Sequence, residues 1–162
     1  MKKYNFVSDK EKLLSEAFIS NGYIIRDIQN KELLDTIREE IISKIISKIN
    51  NVPYSKNSKI LNLLHDYISI DELNELRLSI FRHLNDLDWF RPTYFSIASD
   101  LIHNLVGNEL AMQKQVNVSI QMPGDKTSTI GMHADVYAGE SVFQVNQWLP
   151  LVDCKETKSM YL

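Results

Sequence analysis

The residues best suited to chemistry in this chain are His133 and Asp135, in the run Gly-Met-His-Ala-Asp at 131–135. Side chains alternate along a strand, so two residues separated by one position point to the same face. The imidazole and the carboxylate would then reach one metal ion, and a nitrogen–oxygen donor set with open positions suits non-haem Fe(II). The alternative interpretation is a surface strand end that carries two polar residues.

A change of sequence period predicts the strands that would position this pair. After Gly107, residues 116–121 alternate apolar and polar side chains, as a strand with one buried face does. The pair itself lies in a predicted strand at 130–136. Two further strands are predicted at 142–151 and from 159 to 162.

The polar faces of these strands carry three candidate ligand-binding residues. Gln121 lies on the polar face of the first strand, and Asn146 and Trp148 share one face of the third. In one interpretation these side chains line the mouth of a barrel beside His133 and Asp135. In the other, the polar residues face solvent and the tryptophan is a core residue, since large aromatic side chains commonly fill cores.

The first two thirds of the chain is predicted to be mostly helical. Ser8 with Glu11, and Ser69 with Glu72, have the spacing of a capping box, in which both residues satisfy free backbone N–H groups at a helix start. Apolar residues then recur at helical spacing. The predicted helices run from Ser8 to Asn21, from Asn30 to about Asn50, from Ser69 to near Asp86 and from about Pro92 to Val106, with a short strand at 23–25.

Composition predicts one globular domain without a nucleic-acid or membrane partner. The chain has 162 residues, of which 44% are hydrophobic and 24% are charged, and a core of ordinary size fits these values. The net charge of −3 argues against nucleic-acid binding, which usually needs a clustered basic excess. No apolar run approaches the length that crosses a bilayer. The single cysteine suits a reducing compartment, so a cytoplasmic location is expected.

Four stretches of the C-terminal part together resemble a known family. They are residues 116–125 (Val-Asn-Val-Ser-Ile-Gln-Met-Pro-Gly-Asp), 133–135 (His-Ala-Asp), 147–153 (Gln-Trp-Leu-Pro-Leu-Val-Asp) and 158–161 (Lys-Ser-Met-Tyr). In this combination the chain resembles the Fe(II)/2-oxoglutarate-dependent oxygenases. More narrowly, it resembles the phytanoyl-CoA-dioxygenase-like group encoded in bacterial carbohydrate-biosynthesis clusters. The helical first part is compatible with the helical leader of that group.

The resemblance implies a fold of the α+β class. A helical leader, residues 1–108, would pack on the first strands of an incomplete double-stranded β-helix of the jelly-roll or cupin-like kind, residues 109–162. The two parts would form a single domain, residues 1–162.

The resemblance also implies a site. His133 and Asp135 would bind Fe(II), and Trp148, Gln121 and Asn146 would lie at the pocket for the co-substrate 2-oxoglutarate. With O₂ as the second co-substrate, the protein would oxidise a small molecule such as a sugar or nucleotide-sugar.

The sequence departs from the family pattern after His133. The family has a second histidine on a later strand, followed by a basic residue for the far carboxylate of 2-oxoglutarate, and no histidine follows His133 here. The sequence also stops at Leu162 within an apolar strand pattern. We expect a truncated reading frame or fragment that is inactive alone.

Two rival functions stay open. One is a cupin-type sugar isomerase or epimerase, metal-free or with another metal, in which His133 acts as a general base. It predicts no response to iron or 2-oxoglutarate. The other is a non-catalytic interaction module, in which substitution of His133 or Asp135 changes nothing.

Overall fold

Six α-helices form within the described residues, which are 6–49, 52–53, 59–126, 128 and 131–159 of a computed structural model. No helix in this part of the chain has the length and apolar composition needed to span a bilayer. The helices are α1 (Asp9–Asn21), α2 (Lys31–Lys48), α3 (Ile60–Leu63), α4 (Ile70–Asn85), α5 (Phe90–Ser96) and α6 (Ser99–Val106), with short 3₁₀ helices at Leu64–Asp66, Asp135–Ala138 and Glu156–Lys158.

Both predicted capping boxes are present. The Ser8 hydroxyl accepts a hydrogen bond from the Glu11 N–H at 3.2 Å, and the Glu11 carboxylate accepts one from the Ser8 N–H at 2.6 Å. Ser69 and Glu72 form the same pair of bonds at the start of α4. Because these bonds satisfy N–H groups that a helix leaves free in its first turn, they fix where α1 and α4 begin.

The hydrophobic core lies where α2, α4 and α5 pack together. Each long helix contributes one stripe of aliphatic side chains at helical spacing, as amphipathic helices of globular proteins do. From the C-terminal part, Val116 is buried in this core, and partly buried residues such as Ile120 and Leu149 pack against it. The buried apolar residues are Ile37, Ile41, Ile45, Ile49, Ile60, Leu64, Leu73, Leu76, Ile80, Leu84, Phe90 and Val116.

The predicted strands are absent from the described residues, so the predicted α+β fold with a double-stranded β-helix is wrong. Residues 23–25, 116–121 and 142–151 form no ladder with another segment. Residues 131–134 are irregular, and a 3₁₀ helix begins at Asp135. Ile130 and residues 160–162, which complete the other predicted strands, lie outside the described residues.

The alternation at 116–121, which predicted a strand, arises because every second side chain packs against the helices. Val116, Val118, Ile120 and Met122 face the core, and the residues between them are exposed. A segment with alternate residues inward covers an apolar surface equally well when that surface is a layer of helices. Period two therefore predicted which residues face the core, but it carried no information about a neighbouring strand.

Side chains of the helices, in place of strands, bind the backbone of the C-terminal part. The Asn85 amide donates to the Val116 carbonyl oxygen at 3.0 Å and accepts from the Val116 N–H at 2.8 Å. Arg91 donates to two successive carbonyl oxygens at 112 and 113. Tyr94 donates to the Gln147 carbonyl oxygen, and the Gln147 amide donates back to that of Tyr94 at 2.8 Å. These bonds meet the hydrogen-bonding requirement of buried backbone without a sheet.

The single helix predicted from Pro92 to Val106 is two helices. α5 ends at Ser96, and Ile97 and Ala98 form a turn before α6 begins at Ser99. Apolar residues recur at helical spacing on both sides of this turn, so their periodicity predicts no break. α6 packs against both α5 and α1.

Candidate metal site

The side chains of His133 and Asp135 meet in the structure. Nε2 of His133 lies 3.3 Å from Oδ1 of Asp135, and both side chains are about half exposed. The backbone brings them together differently from the predicted strand. Ala134 between them is extended, with φ −119° and ψ 134°, and Asp135 starts a 3₁₀ helix that ends at Gly139, where φ is 95°.

A backbone oxygen fixes the orientation of the imidazole. Nδ1 of His133 lies 2.7 Å from the Gly131 carbonyl oxygen. Because a carbonyl oxygen only accepts hydrogen bonds, Nδ1 carries the hydrogen and Nε2 is the nitrogen that faces Asp135. The Nε2 lone pair and the carboxylate would repel each other at this distance. Either a proton on Nε2 or a shared cation makes the approach favourable.

Asn146 holds the other oxygen of the carboxylate. Its side-chain N–H donates to Oδ2 of Asp135, and its own oxygen accepts from the Gln144 amide at 2.6 Å. The chain of bonds from Gln144 through Asn146 leaves Oδ1 of Asp135 facing His133. In metal sites, residues that do not bind the metal commonly hold its ligands in orientation by hydrogen bonds of this kind.

The two donors fit a divalent cation. An imidazole nitrogen and a carboxylate oxygen are ligands of non-haem Fe(II), and also of Zn(II). Metal bonds of about 2.1 Å to each atom are compatible with the observed separation. Among the described residues, no group of three or more His, Cys, Asp or Glu side chains is placed to hold one metal ion. Of the three protein ligands that an iron triad needs, the described residues thus offer two candidates, His133 and Asp135.

The other histidines lie on helical elements and have partners of their own. His83 Nε2 lies 2.5 Å from a Glu40 carboxylate oxygen, which joins α4 to α2. His103 packs its ring against Phe95, with ring centroids 5.6 Å apart. His65 lies 3.5 Å from the carboxylate of the following aspartate. None of these contacts leads to His133.

The remaining predicted site residues have separate surroundings. Gln121 donates to the Ser128 carbonyl oxygen at 3.2 Å, so its amide closes a turn. Trp148 is 53% exposed, and no hydrogen bond or ring contact joins it to His133 within the described residues. Of the three predicted pocket residues, the structure thus brings only Asn146 to the His133–Asp135 pair. A role for Gln121 or Trp148 in cofactor binding stays a prediction.

The pair lies on an exposed surface. Two shallow pockets in the described residues lie along α4 and α5, and neither is lined by His133 or Asp135. Several large apolar side chains near the pair in sequence are also exposed. They are Met132, Val136, Tyr137, Val142, Phe143, Val145 and Trp148.

The sequence-based prediction missed the buried ion pair between Arg77 and Asp125. The side chain of Asp125 is only 1% exposed and lies 3.0 Å from Arg77 Nη2. Burying a carboxylate is costly unless it is paired and hydrogen-bonded. The signal lay in α4, because Arg77 is at helical spacing from the buried Leu73 and Ile80. A cation on an inward face predicts a buried anionic partner.

Comparison with known proteins does not assign the chain to a family. No family model, curated protein or solved structure matches it.

Proposed function

We propose that the chain binds Fe(II) through His133 Nε2 and Asp135 Oδ1, as part of a 2-oxoglutarate-dependent oxygenase. The observation that carries the proposal is the orientation of the imidazole. The Gly131 carbonyl oxygen holds the hydrogen on Nδ1, so that Nε2 faces a carboxylate oxygen 3.3 Å away. The identity of the metal and the co-substrate is supported by the resemblance of residues 116–161 to that family.

The chain's own residues would hold and orient the metal. His133 and Asp135 are the ligands, while Asn146 holds the carboxylate through Oδ2 and keeps Oδ1 directed at the histidine. Fe(II) with bound 2-oxoglutarate supplies oxidation of a substrate by O₂, coupled to release of succinate and CO₂. Trp148 and Gln121 are proposed at the co-substrate pocket on the resemblance alone.

Two protein ligands give a weaker site than three. No histidine follows His133 in the sequence, and a basic residue for the far carboxylate of 2-oxoglutarate is not identified. We therefore propose that this chain alone binds the divalent metal but does not turn over 2-oxoglutarate. The small-molecule substrate class, a sugar or nucleotide-sugar, is supported by the resemblance. The single cysteine, Cys154, supports a cytoplasmic location because it suits a reducing compartment.

Calorimetric titration with Mn(II), which avoids the oxidation of Fe(II), tests the site. The wild-type chain should bind one Mn(II), and His133→Ala or Asp135→Ala should each weaken binding by more than about 10–100-fold, the cost of losing a residue that only supports a ligand. His103→Ala is the matched control, since the His103 ring, in α6, packs on Phe95 of α5. Equal affinity of the wild type and His133→Ala would refute the proposal.

A further inference from the structure

Arg77 joins the middle of α4 to a turn in the C-terminal part. Its Nη2 lies 3.0 Å from Oδ2 of the buried Asp125, and its Nε donates to the Ile120 carbonyl oxygen at 2.8 Å. One guanidinium therefore binds the backbone where the turn begins and a carboxylate inside it. Arginine suits this task because its donors form a planar fork.

The turn is closed by bonds to Ser128. The Ser128 N–H donates to Oδ1 of Asp125 at 3.3 Å, and the Ser128 hydroxyl bonds to Oδ2 of the same carboxylate. Gln121 donates to the Ser128 carbonyl oxygen at 3.2 Å. The carboxylate of Asp125 thus binds α4 on one side and the residue that leads toward the metal pair on the other.

The segment that carries the metal pair is fixed to the helices at its two ends. Ser128 is held at one end through Asp125 and Arg77, and Gln147 is held at the other by its paired bonds with Tyr94. Between these points, the hydrogen bonds described for His133 and Asp135 go to partners within the segment itself, Gly131 and Asn146 among them. The described hydrogen bonds that tie this part of the chain to the helices thus lie at Ser128 and Gln147.

We propose that the Arg77–Asp125 ion pair is a positioning element of the His133–Asp135 metal site, a role that rests on the metal binding proposed above. It fixes the start of the segment against α4, so that Gly131, His133 and Asp135 keep the relationship seen in the structure. Neither residue is a proposed metal ligand. Weakening the ion pair should loosen the site and leave the core of α2, α4 and α5 folded, because that core is aliphatic and aromatic.

The test uses two variants of the full chain and one control. Asp125→Asn keeps the shape of the side chain and removes its charge. Arg77→Lys keeps the charge beside Asp125 but loses the fork that also binds Ile120. Asp27→Asn changes an exposed carboxylate in the irregular segment between α1 and α2. Each is compared by far-ultraviolet circular dichroism, by NMR of the His133 ring in metal-free protein, and by Mn(II) affinity.

We expect the metal-free wild type to show one set of His133 ring signals, with a hydrogen on Nδ1. Asp125→Asn and Arg77→Lys should show more than one set of His133 ring signals and about tenfold weaker Mn(II) binding, with unchanged helical dichroism. Asp27→Asn should match the wild type. If Asp125→Asn loses its helical dichroism, the His133 signals and the Mn(II) affinity of Arg77→Lys test the positioning role in its place.

Two results separate the positioning role from the metal site. Folded variants with wild-type His133 signals and wild-type Mn(II) affinity would overturn the positioning role. A wild type that binds no Mn(II), with variants that still change the His133 signals, would overturn the proposed metal binding and support the positioning role.

Discussion

The side-chain amide of Asn85 forms two hydrogen bonds with the backbone of Val116, one to its carbonyl oxygen and one from its N–H. In a sheet, the backbone of a neighbouring strand would make this pair of bonds. Val116 is 4% exposed, so its backbone groups have little access to water. Asn85, the last residue of α4, therefore takes the place of a strand partner for Val116, and Val116 is where the C-terminal part joins the core.

Asn85→Ala should destabilise the protein by about 1–3 kcal/mol, because it leaves a buried donor and a buried acceptor without their partner. Urea unfolding measured by circular dichroism gives the difference in the free energy of unfolding. Asn74→Ala is the matched control, since Asn74 lies on the exposed face of the same helix. A loss no larger than that of the control would show that water or another group satisfies Val116.

Tyr94 should make stability fall at alkaline pH. Burial raises the pKa of its phenol from the ordinary 10.0 to about 12, so the folded state holds the proton more tightly than the unfolded state. Its contribution is fully present below pH 10 and is lost as pH rises through 12. Urea midpoints between pH 8 and pH 11, on a series spaced by about one unit, should fall more steeply for the wild type than for Tyr94→Phe.

Tyr137→Phe is the control for this alkaline effect, since Tyr137 is 89% exposed. Its pH profile should follow that of the wild type. At neutral pH, Tyr94→Phe should cost about 0.5–1.5 kcal/mol, because the hydroxyl that binds the Gln147 carbonyl oxygen is removed. Parallel alkaline slopes for the wild type and Tyr94→Phe would contradict the assignment.

The capping box of α4 should make stability fall in acid. Hydrogen bonds from the backbone N–H and the hydroxyl of Ser69 lower the pKa of Glu72 below its ordinary 4.5. The stabilisation is present above pH 4.5 and is lost as pH falls through the lowered value. Glu72→Gln should therefore flatten the acid limb of the stability profile, whereas Glu75→Gln, on the exposed face of α4, should not. Identical acid limbs for the two variants would contradict this role of Glu72.

The sequence predicted α1, α2 and α4 because the signals of these helices are local. Ser69 and Glu72 lie in one turn, and the stripe from Leu73 to Leu84 follows a single period. A strand needs a partner that is distant in sequence, and alternation at 116–121 says nothing about that partner. In the structure, the backbone of this segment bonds to Asn85 and Arg77 of α4, and the described residues contain no sheet.

The closeness of His133 and Asp135 could be predicted because it needs only a short piece of backbone. An extended residue between two side chains brings them to the same side, whether or not the segment belongs to a sheet. From the sequence, Asn146 could be predicted only to lie on the same face as Trp148, whereas its hydrogen bond to Asp135 could not be predicted. The Arg77–Asp125 pair was missed because the buried position of Asp125 depends on a helix almost fifty residues earlier in the chain.

The 162-residue chain should not convert 2-oxoglutarate to succinate. It has two identified metal ligands, and each charge-assisted bond missing from the far carboxylate would forgo about 1.5–3 kcal/mol. Succinate is measured after O₂ is added to protein loaded anaerobically with Fe(II) and 2-oxoglutarate, with His133→Ala as the background for free iron. Succinate well above that background would reveal a third ligand among residues not assigned to the site.

The identity of the metal ligands is tested most directly by electron spin echo envelope modulation of Mn(II)-loaded protein, which detects a nitrogen bound to the metal. We predict the signal of one imidazole nitrogen in the wild type and in His103→Ala, and its loss in His133→Ala. A nitrogen signal that persists in His133→Ala, or no nitrogen signal in the wild type, would contradict a metal site at His133 and Asp135.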